Sequence, residues 1–359
     1  MKSSKVRALA AIALTAMLTG CSAAAVEPTP TPVDFKVCLV SPTPSIVAGS
    51  PADQALDAIE RAVLTRGVQF DEAYFTQTQS TGSYVTAMNR LVDGGCDFVI
   101  AATHRMSKAV HEAAVANPEA KFALVDAGLV NDAGESVDLP NVKEITSDVA
   151  TQAFLAGYRA AGETKTGIVA AFGGDRLTPT TNILWAFKQG VALYNSSNGT
   201  NVLLLGVNGE QPSRWAATSS WANAGKTARL ASSFIDRGAD VLFAATGTTE
   251  VSGLETKLQE TGALLVSIDG VTTEVSGVSE SSTRLTDSTL AVIAKAIELP
   301  AFAAIASALD GAFVAGEATV AVTETDQEFV VSPSGDMSNS LREILEAINA
   351  GSLAIKQNS

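Results

Sequence analysis

At 359 residues the chain is long enough for two domains of ordinary size, and 46% hydrophobic against 17% charged residues supports sizeable cores over bulk disorder. A formal net charge of −14 argues against nucleic acid or an anionic membrane surface as the main partner, and it weakens the case for a highly phosphorylated ligand. Two histidines, His104 and His111, and three cysteines leave little material for a Cys/His zinc site, and no metal or other cofactor is expected.

Residues 1–20 read as a secretory signal: Lys2, Lys5 and Arg7 precede an apolar run, Ala8–Leu18, that is too short to span a bilayer. The run ends in Leu18-Thr19-Gly20-Cys21, the pattern of a bacterial lipobox, so Cys21 is the expected acylation site. Residues 21–34 carry Thr-Pro repeats without apolar periodicity and read as an extended tether. The protein is therefore expected on the extracytoplasmic face of the cell membrane, anchored by lipid and not spanning it.

The first α/β half opens at Phe35–Val40, a buried-strand pattern. A helix follows from Pro51, then a strand at Val68–Phe75, a helix at Tyr84–Val92 and a strand at Asp97–Ala101. Ser107–Asn117 is helical, Lys121–Asp126 is a strand and Val142–Ile145 a short fifth one. Such spacing predicts right-handed βαβ crossovers and a parallel sheet. Ligands of such sheets sit at the carboxyl ends of the strands, which singles out Ser41, Thr103 and Asp126. Asp126 has two open readings, a hydrogen-bond acceptor for a ligand hydroxyl or a loop-capping residue. Cys38 and Cys96 lie in or beside core strands and read as buried free thiols, although the compartment permits a disulfide.

An apolar helix from Ala153 leads through a polar turn, Glu163–Thr166, into a strand at Gly167–Phe172 that ends in Gly173-Gly174. Further strands are expected at Asn201–Leu205, Asp240–Ala244 and Leu264–Ile268, with helices at Thr181–Tyr194, Thr227–Arg237 and Glu250–Thr261. The repeat of the architecture predicts two lobes with a cleft between them. Thr273–Ser282 is a polar loop by composition, and Thr286–Leu309 a long helical stretch, kinked or broken at Pro300. Ala318–Val322 and Glu328–Val331 look like a terminal hairpin, and Ser338–Ala350 a last amphipathic helix.

From Phe154-Leu-Ala-Gly-Tyr158 through Thr164-Lys-Thr-Gly167 to Phe172-Gly-Gly174, the chain resembles the basic membrane protein family. These are lipoprotein substrate-binding components of ABC importers, many of them nucleoside receptors. The resemblance extends through Cys96–Arg105, Asn117–Asp126, Asn141–Tyr158, Ala186–Val191, Arg237–Gly247 and Val266–Gly270. It implies an α/β type I periplasmic binding protein, with two Rossmann-like lobes of parallel sheet joined by a three-crossover hinge. Residues 35–165 with about 272–310 would form lobe 1, residues 166–271 with about 311–350 lobe 2, and 351–359 a tail. The helix of residues 153–163 would pack on lobe 1, and Thr164–Gly167 would be hinge.

The family's first ligand loop ends in Ser-Phe-Asn-Gln. Gln54 matches its Gln, Asp53 stands near the Asn, and Pro51 or Ala52 takes the place of the Phe. In lobe 2 the resemblance implies a polar contact from Asn223, a close backbone approach at Gly247 and a ribose-facing carboxylate at Asp269. Trp221 is either a stacking surface for the ligand or a packing residue of its own lobe. Arg284 takes the place of a family Lys. The expected ligand is a small polar molecule, nucleoside-like, delivered to an ABC permease and its ATPase. The alternatives are a sugar-like or other small solute, or a surface sensor without a transport role. No GxSxG, HExxH or P-loop is present, so no catalysis is expected.

Overall fold

The computed structural model describes residues 30–41, 46, 50–74, 80–176, 178–218, 224–246, 249–250, 254–268, 271–275, 278–282, 288–293, 295–320 and 336–357. The signal sequence, Cys21 and most of the tether lie outside the described residues.

Lobe 1 is built on a six-stranded sheet. Its strands are β1 (Lys36–Ser41), β2 (Gln69–Tyr74), β3 (Phe98–Ala101), β4 (Lys121–Val125), β5 (Val142–Ser147) and β14 (Gly316–Val320), in the order β14-β5-β4-β3-β1-β2. Every pairing is parallel. Side chains alternate across a strand, so β1 serves two cores at once. Val37 and Leu39 face α1 (Pro51–Arg66) and α8 (Glu298–Leu309). Cys38 and Val40 face α2 (Thr81–Asp93) and α3 (Ser107–Ala116).

Cys38 and Cys96 are joined in a disulfide, which corrects the expectation of free thiols. Strand β1 and the turn entering β3 bring the two Cα atoms to 6.0 Å, within reach of a bridge. The bond closes a 58-residue separation, for which chain entropy gives about 4 kcal/mol of stabilisation.

Lobe 2 has a five-stranded parallel sheet of β6 (Ile168–Gly173), β7 (Leu203–Leu205), β8 (Val241–Ala245), β10 (Leu264–Ile268) and β13 (Thr289–Ile293), in the order β13-β10-β8-β6-β7. A small sheet of β9 (Thr249–Glu250), β11 (Val271–Val275) and β12 (Val278–Ser282) stands beside it, where a polar loop was expected. One face of the large sheet is covered by α4 (Val149–Glu163), α5 (Thr178–Asn198) and α9 (Asp336–Asn349). The other is covered by α6 (Ala224–Ile235) and α7 (Glu255–Thr261).

Helix α4 packs on lobe 2 and not on lobe 1. Its Phe154 and Leu155 share a core with Phe187, Val241 and Phe243. Two glycines make this possible. A Cβ on Gly157 would stand 2.1 Å from the carbonyl oxygen of Phe187, and one on Gly190 would stand 1.9 Å from that of Phe154. The backbones of α4 and α5 are thus in contact. The turn Thr164–Gly167 is likewise part of lobe 2. The Asp240 carboxylate accepts hydrogen bonds from the backbone N–H of Lys165 (2.7 Å) and Thr166 (3.0 Å) and from the Thr164 hydroxyl.

The chain crosses between the sheets three times: from β5 to α4, from β13 to α8, and from β14 to α9. The long helix expected at Thr286–Leu309 is strand β13 followed by α8, so the second crossing falls inside it. Pro300 is the third residue of α8, where its missing N–H has no helical partner to lose. Strand β14 pairs in parallel with β5 and so belongs to lobe 1, not to a hairpin. Glu328–Val331 lies outside the described residues. The tail is docked on α5: Leu353 and Ile355 pack on the lobe 2 core, and the Gln189 side-chain amide exchanges two hydrogen bonds with the Lys356 backbone (2.8 and 2.9 Å).

Candidate functional site

The carboxyl ends of β1, β3 and β4 supply one wall. Ser41 ends β1 and is fully buried. Thr103 caps the short 3-10 turn His104–Met106 and accepts the N–H of Arg105 at 3.5 Å. Asp126 follows β4, and its N–H donates to the carbonyl of Ile145 at 2.8 Å. It has φ +70°, the one positive value at a non-glycine among the described residues. That conformation costs about 1–3 kcal/mol for most residues, is easiest for Asp and Asn, and clusters at ligand sites.

The Asp126 carboxylate accepts a hydrogen bond from the Lys295 ammonium at 2.8 Å and has His104 Nδ1 3.7 Å away. Burial raises the pKa of Asp126, but Lys295 first and His104 second outweigh it, so the group is held below the ordinary carboxylate range. It is ionised at neutral pH. Lys295 comes from the second crossover, between β13 and α8. Sequence reasoning missed it. Its signal was a single cation inside the apolar run Thr289–Ile297.

The opposite wall comes from lobe 2. Strand β6 runs into Gly173-Gly174-Asp175-Arg176. The segment Trp215–Thr218 lies against this turn, with Thr218 N–H on the Gly173 carbonyl (2.9 Å) and Arg176 Nε on the Trp215 carbonyl (3.0 Å). Trp215 itself is buried and stacks on Trp185, with centroids 6.0 Å apart and planes 8° from parallel. Ser267 and Thr246 lie buried on β10 and just after β8. Across the gap, Arg105 of lobe 1 approaches Asp175 of lobe 2 at 3.8 Å.

The sequence-predicted residues therefore divide. Ser41, Thr103 and Asp126 lie at strand ends of the same wall. Asp53 is in the first turn of α1, its N–H donating to Ser50 Oγ at 3.2 Å. Gln54 accepts the N–H of Ile297 at 2.9 Å, at the start of α8. Trp221, Asn223, Gly247, Asp269 and Arg284 lie outside the described residues. Among the described residues no group of three or more His, Cys, Asp or Glu is arranged to hold a metal, and no helix is long and apolar enough to cross a membrane.

Two parallel sheets facing one another at their carboxyl ends, joined by three crossings, form the architecture of a type I solute-binding protein. Residues 43–272 match the family described as ABC transporter substrate-binding protein, PnrA-like. The chain belongs to this family. It is a family of solute-binding proteins and not of enzymes. Basic membrane protein A of Borreliella burgdorferi is 34% identical over 96 residues, covering 26% of this chain and 27% of that protein. The CD4+ T-cell-stimulating antigen of Listeria monocytogenes is 25% identical over 218 residues, covering 60% of this chain and 56% of its own length. This family member thus spans between about a quarter and rather more than half of these relatives. A solute-binding protein of an ABC transporter system from Aeropyrum pernix K1 superposes with a TM-score of 0.71 at 18% identity, over 90% of this chain and 93% of that one. That likeness is one of fold.

Proposed function

We propose that this family member is an extracytoplasmic receptor of an ABC importer that captures a small polar ligand, a nucleoside, between its two lobes. It would hand the ligand to a permease driven by an ATPase, and an acyl group on Cys21 would hold it at the membrane. The observation that carries this reading is the facing of two sets of strand ends: Asp126 on one wall, Asp175 and Arg176 on the other, with Arg105 reaching across at 3.8 Å. An ionised, pre-positioned carboxylate such as Asp126 suits the hydroxyl or N–H groups of a nucleoside.

The test is thermal denaturation of the soluble body with a panel of nucleosides and of sugars. A ligand at one hundred times its Kd stabilises by about 2.7 kcal/mol, which is readable as a higher Tm. A shift with at least one nucleoside supports the reading; no shift with any nucleoside sinks it. Replacing Asp126 by Asn should weaken whichever ligand is found. The lipid anchor is checked separately, by mass spectrometry of membrane-extracted protein and of a Cys21→Ser variant.

A second reading, a sugar-like solute, is favoured by one feature of lobe 1. At the place of the family's stacking Phe, Pro51 opens α1 and Ala52 is 7% exposed inside the core, so neither offers a ring to a nucleobase. The same panel separates the two readings.

A further inference from the structure

Three consecutive residues of the second crossover are attached to lobe 1. Lys295 donates to Asp126 at 2.8 Å, the N–H of Ala296 donates to Ser147 Oγ at 3.1 Å, and the N–H of Ile297 donates to Gln54 Oε1 at 2.9 Å. The crossover therefore travels with lobe 1 from residue 295 onward. It delivers to the ligand wall a cation that the first 165 residues of the chain do not supply. The Lys295 side chain is only 4% exposed and that of Asp126 18%, so their charges meet with little water between them. Asp126 still carries acceptor capacity beyond the one bond to Lys295, because an ionised carboxylate has about four lone-pair sites.

That arrangement decides what can share the carboxylate. A hydroxyl or amide N–H adds a hydrogen bond to a pair whose charge is already balanced. A ligand ammonium would have to stand beside the Lys295 ammonium in a poorly solvated place, where like charges repel strongly. His104, the other titratable side chain against Asp126, adds no negative charge in either protonation state. We propose that Lys295 is a specificity-determining residue: by balancing Asp126 from the second crossover, it makes the lobe 1 wall accept uncharged hydroxyl- or N–H-bearing ligands and reject ammonium-bearing ones. The proposal rests on the cleft being the ligand site.

The experiment has two arms on the soluble body at pH 7. In the first, Lys295→Ala removes a propylammonium-sized piece of side chain. Propylammonium chloride should raise the Tm of this variant and leave that of the wild type unchanged, whereas 1-propanol and sodium chloride should do neither. Equal rescue by 1-propanol, or no rescue by the cation, overturns the proposal. In the second arm, Lys295→Met keeps the volume of the stem and serves also if the Ala variant does not fold. Adenosine is compared with its 2′-, 3′- and 5′-amino-deoxy analogues by calorimetry. The wild type and Lys295→Arg should bind the amino analogues at least about tenfold more weakly than the parent, and Lys295→Met should bring the best of them within about threefold. Discrimination unchanged in Lys295→Met also overturns the proposal. If adenosine does not bind the wild type, the nucleoside reading fails for this ligand, and the rescue arm still decides the role of Lys295.

Discussion

Arg105 of lobe 1 and Asp175 of lobe 2 meet at 3.8 Å, an ion pair that spans the gap between the two sheets. Arg105 comes from the turn after β3 and Asp175 from the turn after β6. The pair can form only when the lobes are close. Both side chains keep some water contact, so its worth is that of a part-exposed pair, up to about 1 kcal/mol. Asp175→Asn should therefore weaken ligand binding by up to about fivefold and enlarge the ligand-free radius of gyration in small-angle scattering. An unchanged radius and affinity would show that the pair does not hold the lobes together.

The contact between α4 and α5 depends on two glycines. Gly190→Ala drives a methyl group to 1.9 Å from the Phe154 carbonyl, a backbone atom that cannot swing away. We expect a loss of about 2–4 kcal/mol in a denaturant titration, in the upper range for overpacking. Gly82→Ala in α2 meets nothing within 4 Å and should instead stabilise by about 0.5–1 kcal/mol. Equal effects at the two sites would remove close packing as the explanation.

Reduction of the Cys38–Cys96 bond should lower unfolding stability by about 4 kcal/mol on the chain-entropy estimate. Alkylation of the unfolded, unreduced soluble body should find neither thiol free. Cys38→Ala alone would leave Cys96 reactive only after unfolding, since both cysteines are buried.

Two carboxyl groups give opposite pH dependences. Asp126 has its pKa lowered in the folded state: burial opposes this, and Lys295 and His104 outweigh it. Its contribution is present above the unfolded value of about 4 and is lost as the pH falls through the folded one. Asp126→Asn should thus destabilise strongly at pH 7, by about 3–5 kcal/mol, because it leaves Lys295 buried without its counter-charge. The deficit should shrink towards pH 3.

Glu144 on β5 is pushed up by burial, with Asp138 and Glu317 adding repulsion, while the N–H of Leu129 at 2.9 Å partly offsets it. Glu317 is its register partner on β14. For a raised carboxyl pKa the stabilising contribution is present below the unfolded value of about 4 and is lost as the pH rises through the folded one. Glu144→Gln retains an acceptor for Leu129 and should raise the Tm at pH 7 more than at pH 4. Equal Tm changes at both values would remove ionisation of Glu144 as the cause.

The strands and most helices were legible in the sequence because periodicity and turn formers are local signals. Apolar runs such as Val99–Ala101 and Lys121–Val125 announce parallel strands covered on both faces, and Gly67 past the end of α1 marks its stop. The order of these signals also carried the family and, with it, the fold. The ends of parallel strands pointed to Ser41, Thr103 and Asp126 without any tertiary information.

Only the tertiary structure decided which segment belongs to which lobe. Helix α4 reads equally well against either sheet, because amphipathicity specifies a buried face and not the partner that buries it. The partner was set by the fit of Gly157 and Gly190 against carbonyl groups of the facing helix. The same holds for Lys295. Its type and position were visible in the chain, but its meeting with Asp126, 169 residues away, follows from the path of the second crossover. A local pattern fixes the direction of a side chain relative to its own element; the charge that it meets depends on how the crossings assemble the sheets.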